Sequence, residues 1–276
     1  MGAWKKAVAA AVVIVVAGAS GAAVAKVTEN APQSAPPTRA VRALGGGVSE
    51  SKFVPITPCR ILDTRKGFGR AKVDSPITID VRGSGATFTA QGGRTNGCAI
   101  PQSATAISAS VTAVDAGSGF LRAWPPGGGQ PTSTFMNYDY SYNVSNSGDL
   151  ALCSTGCAAN KDLTFRAFGS DTDLVVDVAG YYEAPMSANV GSDGTLGRNS
   201  RATGVTSVGT GTYILSFDRD ISTCTYFAGT ATTSEGTAPG FVAVTNSSGD
   251  PNAVYVKVYN TSGAVANLGF QVQVVC

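Results

Sequence analysis

The chain contains no histidine at all. That excludes Ser-His-Asp and Cys-His catalysis, and it removes the commonest ligand of catalytic zinc. Charge is also sparse, at 14% of 276 residues, and glutamate is the rarer of the two acids. Beyond the first 25 residues there is no long helical apolar pattern and no heptad repeat, which excludes a helical or coiled-coil architecture. Nor is there an excess of one sign. The formal charge is +2 from 20 basic and 18 acidic residues, and Lys5 and Lys6 lie in the N-terminal segment, so the remainder balances at 18 and 18. A balanced chain lacks the basic footprint that nucleic acid selects, and it feels little pull toward an anionic membrane.

What the chain does have is glycine, 34 residues of it, with frequent Ser and Thr. Short apolar runs punctuated by Gly, Pro, Asn and Asp predict an all-β protein. The length fits two antiparallel β-sandwiches in tandem, each of roughly 100 residues.

In order, Met1 to Ala25 reads MGAWKKAVAAAVVIVVAGASGAAVA. A basic pair, an apolar run and a small-x-small end at Ala23-Val24-Ala25 predict a secretory signal peptide cut before Lys26. The alternative is an uncleaved signal anchor, because the apolar stretch is just long enough to cross a bilayer; only then does the chain contact a membrane. Residues 26–52 carry Pro32, Pro36, Pro37 and Gly45-Gly46-Gly47 with few large apolar residues, and read as a flexible spacer. The expected location is therefore secreted or cell-surface.

From Phe53 the apolar period becomes two. Ile77, Ile79 and Val81 alternate with Thr78 and Asp80. Ile107, Ala109, Val111 and Ala113 do so with Ser108, Ser110 and Thr112, and Leu163, Phe165 and Ala167 with Thr164 and Arg166. Each predicts a half-buried strand, whereas Leu174-Val175-Val176 predicts a central one. After a short expected hinge over 185–192, the alternation resumes at Tyr213, Leu215 and Phe217, at Val254, Val256 and Val258, and at Phe270, Val272 and Val274. Domains are thus expected at 53–184 and 193–276.

The segments FVPITPCRILDTR, CAIPQSATAISASVTAV, GFLRAWPPGGGQPTSTFMNY and LVVDVAGYY, taken in order, resemble a β-sandwich repeat domain of exported bacterial proteins over residues 53–184. The glycine usual before the Ile-Pro pair of that pattern is here replaced by Cys98-Ala99. The segments FDRDISTCTY, DPNAVYVKV and FQVQVVC resemble a C-terminal β domain of exported bacterial proteins over 193–276. These resemblances imply surface or exported proteins, often without an assigned activity.

Six cysteines behind an export signal predict three disulfides. Their placement favours Cys59–Cys98, Cys153–Cys157 and Cys224–Cys276, one of the fifteen pairings six cysteines allow. A redox or metal role is the competing reading, but C-x-x-x-C is not the usual redox spacing and no histidine completes a metal set. Arg60, Asp63, Arg65 and Asp177 are expected to form an ion network joining the opening strand to the closing one. The alternative is a carboxylate site for ligand or catalysis.

Trp124, Tyr138, Tyr140 and Tyr142 are candidate glycan-binding rings, because Tyr138, Tyr140 and Tyr142 alternate and would share one face of a strand. Asp139, Asp171 and Asp173 are candidates for calcium or for a glycosidase pair, though without a recognisable signature. The sequence therefore predicts a non-enzymatic exported structural or adhesion protein without cofactor or bound metal. Its expected partners are a glycan or other surface proteins. The alternative is a carbohydrate-binding module for a wall or environmental glycan. Oligomeric state is not legible.

Overall fold

The computed structural model describes residues 50–73, 75–154, 156–157, 161–233, 236 and 239–276. The expected export segment and most of the expected spacer lie outside the described residues. The remainder is almost entirely antiparallel β-structure.

The first half contains β1 (Lys52–Asp63), β2 (Ile77–Ile79), a short helix α1 (Ala86–Ala90), β3 (Ala104–Val114), β4 (Gly119–Trp124), β5 (Met136–Tyr138), β6 (Val144–Ala151), β7 (Leu163–Phe168) and β8 (Asp173–Glu183). Two sheets result, ordered β1-β8-β3-β6 and β2-β7-β4-β5. Their inward residues form one hydrophobic core that includes Ile61, Ile107, Val111, Leu121, Phe165 and Val176. Burying each such side chain contributes about 1.5–3 kcal/mol. The alternation written into β3 is the reason it folds this way: Ile107, Val111 and Ala113 are wholly buried, and the Ser and Thr between them are not.

The opening and closing segments pair directly. β1 runs antiparallel to β8 with Arg60 opposite Asp177 and Cys59 opposite Val178. β8 lies inside its sheet, between β1 and β3, which explains its continuous apolar start. Gly180 is required by this packing. A Cβ there would lie 2.3 Å from the Phe53 ring and 2.7 Å from the Val54 carbonyl oxygen, so any side chain would push β1 off β8. Ala99, standing where the resembling pattern has glycine, adopts φ 57°, the left-handed region that glycine occupies at lower cost.

The second half contains β9 (Met186–Val190), β10 (Leu196–Ser200), β11 (Ala202–Gly209), β12 (Thr212–Phe217), β13 (Thr225–Thr230), β14 (Phe241–Asn246), β15 (Ala253–Tyr259) and β16 (Phe270–Val275). Its sheets are ordered β10-β9-β16-β13 and β11-β12-β15-β14. They enclose a separate core around Tyr213, Leu215, Phe217, Val256, Phe270 and Val272. The expected hinge over 185–192 is corrected: most of it is β9, which pairs with β16 from Val190↔Phe270 to Met186↔Val274. Met186, Ala188 and Val190 supply the inward face. Their small number and the flanking Pro185 and Gly191 masked the alternation. The connection between the two halves is Ala184-Pro185.

All six cysteines are paired, as Cys59–Cys98, Cys153–Cys157 and Cys224–Cys276, with sequence separations of 39, 4 and 52. On the chain-entropy account the two long loops contribute about 4 kcal/mol each and the short one about 2 kcal/mol.

Candidate functional site

The ion network of the opening strand is built by register. Because Arg60 faces Asp177 across the β1–β8 ladder, its guanidinium reaches that carboxylate with both Nε and Nη2, at 2.9 and 3.0 Å. Arg65 grips Asp63 the same way, at 2.9 and 3.0 Å. Arg60 completes the chain at 3.5 Å from Asp63. The Asp63 side chain is fully buried. The Arg65 hydrogen bond holds its carboxyl below the usual range, against the opposing effect of burial. With both carboxylates occupied by arginine, these four residues clasp β1 to the end of the sandwich.

Tyr138, Tyr140 and Tyr142 do not share a face, which corrects the expected stripe. β5 ends at Tyr138, whose ring is buried and whose hydroxyl donates to the carbonyls of Phe168 (3.1 Å) and Ser170 (2.6 Å). Tyr140 and Tyr142 stand in the following turn, 78% and 76% exposed. Trp124 ends β4 and is half-buried. The alternation was that of a strand end running into a turn.

Of the three aspartates considered for calcium, Asp139 is exposed in the turn after β5, and the other two are committed. Asp171 accepts from the Val73 amide at 3.0 Å. Asp173 accepts from the Thr64 hydroxyl at 2.8 Å and from Arg70 at 3.1 Å. Among the described residues no three His, Cys, Asp or Glu side chains come together in a way that could hold a metal.

Two polar nodes were invisible in the sequence. Asp162, buried, accepts from the amides of Val81 (2.7 Å) and Arg82 (2.8 Å) and pairs with the Arg82 side chain, which also donates to the Cys153 carbonyl. Glu183, at the end of β8, holds Arg201 and Arg219 at 2.9 Å each and accepts from Ser103 at 3.1 Å. Arg201 in turn pairs with Asp218 at 2.8 Å. Burial opposes the Arg201 charge, yet Asp218 and Glu183 outweigh it and the guanidinium is held protonated. The segment Phe217-Asp218-Arg219-Asp220 thereby acquires its physical meaning. Phe217 fills the second core, Asp218 holds Arg201, Arg219 joins Arg201 in fastening the second sandwich to Glu183 of the first, and Asp220 caps the turn at Ser222 (2.9 Å).

One surface is not consumed in this way. The outer face of the β10-β9-β16-β13 sheet forms an open groove of about 510 Å³, lined by Ser187, Asn189, Arg198, Phe227, Gln271 and Gln273. The pairing register places them in two rows. Phe227, Gln273 and Ser187 lie side by side across β13, β16 and β9, and Gly229, Gln271 and Asn189 form the next row. Phe227 is 60% exposed. Gly229 beside it leaves the floor open, with nothing within 4 Å of where a Cβ would stand. A bulge between Leu196 and Asn199 of β10 interrupts the pairing at Arg198, on the groove's margin. The Arg198 side chain has no ion pair or hydrogen bond among the described residues, in contrast to Arg60, Arg65, Arg82, Arg201 and Arg219. Asn189 donates to the Thr232 carbonyl at 3.1 Å, while its buried Oδ1 has no hydrogen-bond partner.

Such a face can stack on an apolar ring surface, exchange hydrogen bonds through the amides of Gln271 and Gln273, and pair with one anion. No family model matches the chain, and neither does any curated protein or solved structure.

Proposed function

We propose that this chain is an exported, non-enzymatic binding protein that adheres to a partner outside the cell through the groove on its second sandwich. The observation that carries the reading is that groove. It combines an exposed aromatic ring, the amides of Gln271 and Gln273, and an arginine unpaired among the described residues on a sheet face, where the chain's own core has no use for them. Exposed groups of this kind on a disulfide-stapled scaffold suit recognition. Three disulfides support an oxidising, extracellular setting. Of the carboxylates considered for catalysis, Asp63, Asp173 and Asp177 are held by arginines that tie strands and loops together, which supports a structural role for them.

The test is retention of the mature secreted protein on intact cells and isolated wall material. Wild type is expected to be retained, and Phe227→Ala with Gln271→Ala to be released at several-fold lower salt or competitor. Equal retention of wild type and the double variant, both folded by circular dichroism, would remove the groove from the function.

A further inference from the structure

We propose that the groove takes a carboxylated oligosaccharide, with a sugar ring against Phe227, its hydroxyls on Gln271 and Gln273, and its carboxylate on Arg198. This rests on the reading that the groove is the binding surface.

The geometry argues for this class in three steps. The groove lies on a sheet face, and the backbone groups of β9 and β16, the inner strands of that sheet, are already spent on their ladders. Recognition there must come from side chains, which disfavours strand addition by a peptide. Next, the polar lining is dominated by amides. Each offers a donor and an acceptor on one rigid plane, the complement of adjacent sugar hydroxyls, which likewise donate and accept. Gln271 and Gln273 stand in adjacent rows on β16, so their two amides can answer neighbouring hydroxyls of one ligand. Finally, Arg198 is the charged member of the lining and has no ion pair or hydrogen bond among the described residues. A guanidinium presents its donors as a fork that matches a carboxylate with two parallel bonds. The open floor at Gly229 gives a flat ring room to lie beside Phe227.

The experiment is affinity electrophoresis of the mature secreted protein in gels containing polygalacturonate, alginate or hyaluronan. Carboxyl-reduced polygalacturonate and polyglutamate serve as the neutral and the sugar-free comparisons. Wild type is expected to be retarded by at least one acidic polysaccharide. Arg198→Gln and Phe227→Ala should each weaken that retardation about tenfold or more. Tyr140→Ala should leave it unchanged, and thermal melts should show all variants folded.

Carboxyl reduction should bring wild type down to the level of Arg198→Gln. If Arg198→Gln binds as wild type does while Phe227→Ala does not, carboxylate pairing is wrong and the groove still binds. Retardation by polyglutamate equal to that by the polysaccharides overturns the sugar. Failure of every acidic polysaccharide, with cell retention still dependent on Phe227, overturns the ligand class and leaves the groove standing. Retardation that neither variant changes overturns both.

Discussion

The two sandwiches reach the same architecture by different means. Every buried polar or charged residue that the structure records lies in the first one: Asp63, Thr64, Asp80, Gln91, Asp162, Thr164, Thr172, Asp173 and Glu183. Its sheets are joined by long excursions, and each buried carboxylate pins such an excursion to a strand. Gln91, which follows α1, is fully buried and bridges the Ile61 carbonyl and both backbone groups of Asp80. The second sandwich has shorter connections and an apolar core, closed by one disulfide, with the Arg201 side chain the buried charge at its border with the first. Polar side chains freed from internal duty then stand outside, on the groove. The first sandwich spends its polarity on holding itself together, and the second presents it to a partner.

The largest test of this contrast is Asp162→Ala. It strands the Arg82 guanidinium and two amides in a buried setting, and removing one partner of such a pair costs about 3–5 kcal/mol. Hydrogen exchange should show β2 and β7 losing protection while β12 and β15 keep theirs. Equal loss in both halves would mean that they stand or fall together through Glu183. The reciprocal test is replacement of Cys224 and Cys276 by serine, which should cost the second sandwich about 4 kcal/mol. Its exchange signature should be inverted, with β13 and β16 opening and β3 and β8 unaffected.

Acid should separate the halves more gently. Asp63 has its carboxyl depressed below the ordinary 3.8. Its contribution is therefore complete above about pH 4 and is lost as pH falls through the folded value. Asp63→Asn should lower stability at neutral pH and flatten the acid limb of the β1–β8 amides. A slope unchanged by the substitution would assign the acid sensitivity to other carboxylates. In the second sandwich Asp193 and Asp220 are depressed by their Thr195 and Ser222 hydrogen bonds, and their acid response should not change in the variant.

Alternation was readable wherever a strand buries one face, as at Tyr213, Leu215 and Phe217, because period two is a local property. The cysteine pairs were readable because each half holds few cysteines, and the Arg60–Asp177 contact because its two members lie in the opening and closing strand segments. The Arg82–Asp162 node was not. Its members lie 80 residues apart, and nothing local distinguishes Asp162 from a surface aspartate. The groove was hidden for a related reason. Ser187, Phe227 and Gln273 are ordinary outward positions on three strands, and only the register of β9, β16 and β13 makes them neighbours. The Tyr stripe failed in the opposite direction, since a local period was present without the strand to give it meaning.

That failure supplies the smallest effect, and it discriminates within five residues. Tyr140→Ala removes a ring that is 78% exposed in a turn, so stability should change by no more than about 0.5 kcal/mol. Tyr138→Phe keeps the ring and deletes only a hydroxyl that donates to the Phe168 and Ser170 carbonyls. Its loss should cost about 1 kcal/mol, the usual net value of one buried hydrogen bond. The milder chemical change should therefore do the greater damage. If the order is reversed, and Tyr140→Ala also weakens retention on cells, the first sandwich carries a recognition surface of its own and the division of labour between the halves fails.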